Sequence, residues 1–95
     1  MKASISYVPE VDNDLKSFTD KKIESIRKNY ITLISLDIKF ITDHDNNEKI
    51  VKIEAHVPGQ KFFIHKNTKT FEKSMNNAFN TLGRKLKKEK EKQIG

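Results

Sequence analysis

Apolar residues alternate with polar ones in three separate stretches of the chain, which is the period-two pattern of strands with one buried face. The first stretch covers residues 3–7, the second residues 34–40 and the third residues 51–57. Asp and Asn residues between the second and third stretches favour a turn. Pro58-Gly59 fits the centre of a type II turn, so a further, returning strand is expected at residues 61–66.

Two other stretches repeat apolar residues at helical spacing. The first begins after Asp12 or Asn13, either of which can cap a helix. The second runs over residues 68–92 and would be about 37 Å long. The apolar positions of the first helix are Leu15, Phe18, Ile23, Ile26 and Tyr30, and those of the second are Phe71, Met75, Ala78, Phe79, Leu82 and Leu86.

The order strand, helix, three strands, helix predicts one α+β domain over residues 1–95. We expect a four-stranded, mainly antiparallel sheet with both helices packed on one of its faces, because that arrangement buries all of the apolar stripes. The apolar stripe of the second helix ends at Leu86, whereas its pattern of charged residues continues. The turns within residues 84–95 are therefore expected to project beyond the core or to fray.

Charge is concentrated at one end of the chain. The net charge of the chain is +6. Residues 84–95 hold six basic and two acidic side chains, so their net charge of +4 is two thirds of that total. From Lys73 to Lys88 there is no acidic residue. Such a concentrated positive region attracts polyanions, of which nucleic acid is the commonest in cells.

On a helical wheel, the side of the second helix away from its apolar stripe is basic and polar. Lys and Arg neutralise phosphates, and Asn and Thr can hydrogen-bond to phosphate or ribose. An ordinary solvated surface is the competing interpretation, but sixteen residues without an acid favour a nucleic-acid-binding face. The side chains on this side are Lys73, Asn77, Asn80, Thr81, Arg84 and Lys88, flanked by Lys85 and Lys92.

The first helix contributes Lys22 as a secondary candidate for the same surface. Its other cations interleave with Asp20 and Glu24, which favours simple ion pairing along the helix. Gly83 is unusual inside a helix, where glycine costs roughly 1 kcal/mol relative to alanine. It either allows a close approach by another backbone or is a tolerated defect, and we favour the second interpretation.

Several classes of function are disfavoured by the composition. There is no cysteine, which excludes a disulfide framework, a thiolate zinc site and a cysteine nucleophile. His44, His56 and His65 have no metal-ligand spacing, so no metal, cofactor or catalytic residue is predicted. No run approaches the roughly 18 apolar residues of a membrane span, so a cytoplasmic protein is expected. Lys61-Phe62-Phe63-Ile64 resembles the aromatic strand of an RNA-recognition motif only weakly, and we expect its phenylalanines to pack in the core and at its edge.

The element order and the basic last helix resemble the short ribosome hibernation-promoting factors, also called ribosome-associated inhibitors, of bacteria. The resemblance rests on Leu15-Lys16-Ser17-Phe18, Lys22, Ile26 and Tyr30, on the hairpin ending near His65, and on the run from Leu82 to Lys92. It implies a β-α-β-β-β-α domain related in shape to double-stranded-RNA-binding folds. By the same resemblance, Arg84, Lys88, Lys90 and Lys92 would contact ribosomal RNA with support from Lys22, and the charge pattern adds Lys73, Lys85 and Lys87.

The resemblance also implies a function, which is inhibition of translation by a protein lodged in the channel of the small ribosomal subunit that messenger and transfer RNA occupy. The expected partners are that subunit and its ribosomal RNA, without DNA or membrane, and the free protein is expected to be a monomer. A module that binds structured RNA generally, or an acidic protein, is the alternative. Lipid binding is disfavoured because only Ile94 follows Leu86 as a large apolar residue.

Overall fold

A computed structural model of the chain describes the backbone of residues 1–94 and the side chains of residues 1–91. The elements follow the predicted order, and neighbouring strands in the sheet are neighbours in sequence, in the order β1-β2-β3-β4. β1 and β2 pair in parallel, whereas the other two pairs are antiparallel. The predicted α+β class is confirmed. The elements are β1 (Lys2–Ser6), α1 (Asn13–Asn29), β2 (Ser35–Asp43), β3 (Glu48–Val57), β4 (Gln60–Thr68) and α2 (Phe71–Ile94).

The sheet has one buried and one open face. Side chains at alternate positions of β2, β3 and β4 meet in register on the buried face, which α1 and α2 cover. The apolar stripe predicted for α2 is buried along its whole length. The principal buried side chains of the sheet are Leu36, Ile38, Phe40, Val51, Ile53, Ala55, Val57 and Ile64, and those of α2 are Phe71, Met75, Ala78, Phe79, Leu82 and Leu86.

Two predictions about the boundaries were wrong. Ile34 does not belong to β2 and is exposed, because the strand begins only at Ser35. The second helix begins three residues later than expected, because β4 continues to Thr68 and the chain then turns through Thr70. The Thr70 hydroxyl accepts a hydrogen bond from the backbone N–H of Lys73 at 3.2 Å, which caps the first turn of α2.

The two helices run side by side in the same direction. The first turns of both helices line one shared depression. Further along, the Thr19 hydroxyl lies 2.7 Å from the sulfur of Met75, and the Tyr30 hydroxyl donates to the Gly83 carbonyl at 3.4 Å. These contacts fix the direction of α2 relative to α1.

A buried hydroxyl attaches the start of α2 to the sheet. Ser74 is completely buried, and its hydroxyl donates to the backbone carbonyl of Lys49 in β3 at 2.6 Å. The same oxygen lies 2.7 Å from the hydroxyl of Thr68 at the end of β4. α2 is thereby fixed to two strands near its first turn, and this attachment determines where the cations of its later turns lie.

Candidate nucleic-acid interface

The outward face of α2 is the candidate interface, and packing of the opposite face determines which side chains it presents. Lys73, Asn80, Arg84 and Lys88 are exposed, and Thr81 is partly buried at the edge of this face. The Arg84 guanidinium donates to the Thr81 hydroxyl at 3.2 Å, which orients it along the helix surface. The face therefore combines cations with neutral hydrogen-bonding groups, which suits phosphate and ribose.

The described cations in the second half of α2 are exposed and not neutralised by carboxylates of the described residues. The described side chains form three salt bridges, and each joins residues outside α2. Glu89, the nearest acid, turns away from the outward face and accepts a hydrogen bond from the side chain of Gln60. We name the exposed cations of these turns the cationic arm. Its members are Arg84, Lys85, Lys87, Lys88 and Lys90.

Two members of the cationic arm lie over aromatic rings. The ammonium of Lys85 is 5.7 Å from the ring centroid of Phe62 in β4. The ammonium of Lys90 is 6.0 Å from the ring centroid of Tyr30, just after α1. Contacts of this kind are weak at exposed sites, at about 0.5–1 kcal/mol. Both lysines therefore stay available to an anion while the rings limit the directions they explore.

The structure does not bring every predicted residue into the arm. Lys22 is partly buried on α1, and its ammonium lies over the ring of Phe18 on the same helix at 5.3 Å. Lys73 shares the outward face, but eleven residues of helix place it about 16 Å from Arg84 along the axis. The side chain of Lys92 lies outside the described residues.

Lys66 is a candidate residue that the sequence pattern did not reveal. It lies on β4, on the face of the sheet that the helices cover, and it lines a polar groove between β4 and α2 of about 500 Å³. The groove is lined by cations and neutral polar groups, with no acid. The residues that line it are Lys66, Asn77, Asn80, Thr81 and Arg84.

The signal that identifies Lys66 is its position in the alternation of β4. Ile64 faces the helices, and Lys66, two residues further on, therefore points to the same side. The groove extends the outward face of α2 onto the sheet. It offers a positively charged, polar groove that a phosphate group can enter.

Acidic side chains collect at the other end of α2. Glu10, Asp12, Asp14 and Glu72 line the depression at the first turns of both helices. The Thr42 hydroxyl donates to the Glu10 carboxylate and holds the pKa of that carboxyl below its ordinary value, and the Lys49 ammonium acts in the same direction. Lys49 and Lys69 also line this depression, so its four acids and two lysines give it a net formal charge of −2, whereas the second half of α2 is positive.

The histidines do not come together. His56 is paired with Lys61, and His65 with Lys52, so the two imidazoles are four residues apart along β4. Within the part of the chain that the structure describes, no three His, Asp or Glu side chains are arranged to hold a metal ion. None of the described helices is long and apolar enough to cross a membrane.

The fold and the face together define a class: a small β-α-β-β-β-α domain that presents an exposed cationic helix. Comparison with family models then places the chain, over residues 5–94, in the sigma 54 modulation protein / S30EA ribosomal protein family. The chain belongs to this family, which confirms the resemblance inferred from its sequence. No curated protein sequence matches the chain significantly.

Two solved structures share the fold. A ribosomal subunit interface protein from Coxiella burnetii is 20% identical and superimposes with a TM-score of 0.80, covering 95% of this chain and 98% of that one. The N-terminal domain of Protein Y from Thermus thermophilus is 13% identical with a TM-score of 0.72, covering 93% and 98%. At these identities the likeness establishes the fold and leaves the role of each side chain to the site itself.

Proposed function

We propose that this protein binds the small ribosomal subunit through ribosomal RNA and inhibits translation by occupying the channel that messenger and transfer RNA use. Membership of a family of ribosome-associated proteins supports the ribosome as the partner. The cationic arm supports RNA as the surface it meets. Inhibition then requires no chemistry, because a bound domain excludes other ligands from the same space.

The observation that carries the proposal is the cationic arm, a group of exposed cations on one helix without carboxylate partners among the described residues. Every cation that meets a phosphate releases condensed counterions. The logarithm of the binding constant therefore falls by about 0.7 to 0.9 per contact for each tenfold increase in salt concentration. Because the arm lies on a helix that Ser74 attaches to the sheet and whose Met75 contacts α1, little backbone conformational entropy is lost when it binds.

The charge difference between the two ends of the molecule gives the bound protein an orientation. The positive arm is drawn to the phosphates, whereas Glu10, Asp14 and Glu72 at the other end are repelled by them. The domain therefore enters RNA arm first and keeps its acidic end away from the phosphates. This polarity favours one orientation of the bound domain.

Reversing the charge of the arm tests the proposal. The triple variant Arg84→Glu, Lys85→Glu and Lys88→Glu should bind small ribosomal subunits at least 100-fold more weakly, since three contacts of about 1 kcal/mol or more each are lost. Binding is measured by sedimentation with purified subunits over a salt series, and inhibition by translation in vitro. All three positions are exposed, so circular dichroism should show an unchanged fold.

A matched control separates local contacts from net charge. Lys2→Glu, Lys21→Glu and Lys69→Glu change the net charge by the same amount at exposed positions away from the arm. This control should lose less than about fivefold in affinity. Equal losses in the two triple variants would mean that net charge alone drives binding. Full inhibition by the arm variant would contradict the proposed site.

A module that binds structured RNA of any kind is the second candidate, since the same cations would serve it. Homopolymer RNA added as a competitor distinguishes the two. If the ribosome is the true partner, the competitor should displace the protein only at a large excess. Displacement at equal concentrations of nucleotides would indicate general RNA binding.

A further inference from the structure

The open face of the sheet carries a row of cations that the helical interface does not use. Lys39 on β2 lies opposite Lys52 on β3, and Lys52 lies opposite His65 on β4. All three side chains are exposed. With strands about 4.8 Å apart, the row is roughly 10 Å long. None of the salt bridges among the described side chains includes any of the three.

An exposed aromatic ring stands beside this row. Phe63 is 71% exposed and lies two residues from His65 on the same face of β4. The expectation that both phenylalanines of this segment pack was therefore wrong for Phe63, because only Phe62 faces the helices. Lys39, Lys52, His65 and Phe63 line one shallow depression of about 400 Å³.

Hydrogen-bond acceptors complete the depression. Glu54 lies opposite Phe63, and Asp37 lies opposite Glu54, so two carboxylates and the ring form a second row next to the cations. The Lys61 ammonium, 3.5 Å from Glu54, holds one of these carboxylates. Asp37 belongs to none of the salt bridges that the structure describes.

Folding alone does not account for this arrangement. Like charges directly opposite each other on a sheet are destabilising, and this face has two such pairs, Lys39 with Lys52 and Asp37 with Glu54. An exposed phenylalanine also contributes little to the core. Exchanging Lys39 with Asp37 would place opposite charges across from each other in both pairs. The present order of charges therefore favours binding of a ligand over stability of the sheet.

We propose that this open face binds single-stranded RNA, independently of the cationic arm. One unstacked base lies on the ring of Phe63, and N–H groups on the edge of the base donate to Asp37. The phosphates follow the row of Lys39, Lys52 and His65. Stacking of a base on an aromatic ring is sequence-tolerant, whereas a carboxylate favours guanine, which presents two adjacent donors.

A chain of nucleotides fits the row better than a free nucleotide does. The row is roughly 10 Å long and extends over three strands, so its cations can meet successive phosphates of one backbone. A free mononucleotide carries its phosphate at one end and would leave part of the row without a partner. The occupant is therefore a single strand of nucleic acid, and in a chain of a ribosomal protein family we infer that this strand is RNA.

The test uses a tryptophan placed at the ring. The chain contains no tryptophan, so Phe63→Trp gives a single fluorophore that keeps an aromatic surface at the site. The variant is made in the background of the triple change Arg84→Glu, Lys85→Glu and Lys88→Glu, which inactivates the arm. Titration with the six-nucleotide RNAs UUUUUU and UUGUUU should quench the fluorescence, and the guanine-containing oligomer should bind at least threefold more tightly.

Matched variants make the result specific. Ile31→Trp, at a position 89% exposed in the turn after α1, should show no saturable quenching. Lys39→Ala with Lys52→Ala should weaken binding to the Phe63→Trp protein at least tenfold, whereas Lys21→Ala with Lys28→Ala should change it less than twofold. Phe63→Ala, assayed with a labelled oligomer, should lose binding while keeping its circular dichroism spectrum.

Several outcomes would overturn the inference. Absence of quenching in the Phe63→Trp protein, or equal quenching in the Ile31→Trp protein, would mean that no base stacks at this face. Equal affinity for guanosine monophosphate and the oligomer would exclude an RNA chain as the occupant. Because the arm is already inactivated in this background, absence of RNA binding at the open face would not contradict the ribosomal proposal. Absence of binding to ribosomal subunits would likewise not contradict RNA binding at the open face.

Discussion

The two halves of α2 lie on one continuous helix and have different roles. In the first half, residues 71–82, four side chains are completely buried, and Ser74 and Met75 connect the helix to the sheet and to α1. In the second half, the described side chains are mostly charged, and Leu86 is buried. Packing determines the position of the first half, and the second half inherits its direction. Stability and binding should therefore be separable by mutation within a single helix.

The largest expected effect on stability comes from removing a core side chain of the first half. Leu82 is completely buried, so Leu82→Ala should lower the free energy of unfolding by about 2–5 kcal/mol, through lost burial and a residual cavity. Urea unfolding followed by circular dichroism measures the change. The exposed neighbour Asn80, changed to alanine, should leave stability within about 0.5 kcal/mol.

The same variant sharpens the contrast between the two halves. Under conditions in which Leu82→Ala is still folded, its affinity for ribosomal subunits should remain within about threefold of the unaltered protein, because no member of the cationic arm has changed. A loss of affinity as large as that of the charge-reversed arm, in fully folded protein, would show that the two halves are not separable.

A smaller effect is expected at the hydroxyl that attaches α2 to the sheet. Ser74→Ala removes the hydroxyl that donates to the Lys49 carbonyl, and that part-buried carbonyl then lacks this hydrogen bond. The free energy of unfolding should fall by about 1–3 kcal/mol. Ser17→Ala, at an exposed position of α1, is the control and should be nearly neutral. Thermal unfolding of both variants checks this, and equal midpoints for the two would indicate that the hydrogen bond contributes nothing.

Sequence patterns predicted the fold well because burial and periodicity agree in most elements. The apolar stripe of α2 and the alternation in β2 and β3 each indicated one buried face, and that face is the one the structure buries. The faces of β4 were harder to predict. Phe62 and Phe63 are equally apolar, and the burial of Ile64, two residues after Phe62, shows that Phe62 is the one that faces the helices.

The candidate site was predictable only where it lies within one element. Lys73, Arg84 and Lys88 share a face of α2 because of helical spacing alone, so the sequence suffices for them. Lys66 joins Arg84 through packing of α2 on β4, and Lys22 remains apart because its side chain lies over Phe18. Contacts between elements depend on how side chains pack across them, and a one-dimensional pattern does not contain that information.

The smallest expected effect on stability comes from a substitution at Gly83, where the two halves of α2 meet. A methyl group added at this position would meet no atom within 4 Å, and the residue is helical, so nothing in the described structure requires glycine. Gly83→Ala should therefore raise the free energy of unfolding by up to about 1 kcal/mol, through helix propensity and reduced freedom of the unfolded chain. Urea unfolding measures this gain.

Binding by the same variant decides between the two interpretations of this glycine. If Gly83 is only a tolerated defect, Gly83→Ala should bind ribosomal subunits with unchanged affinity, because the Tyr30 hydroxyl still reaches the carbonyl of residue 83 and Arg84 keeps its direction. A folded, stabilised protein that binds at least tenfold more weakly would instead mean that RNA approaches the backbone where a methyl group would stand. The interface would then include the junction between the halves of α2, and packing and binding would overlap there.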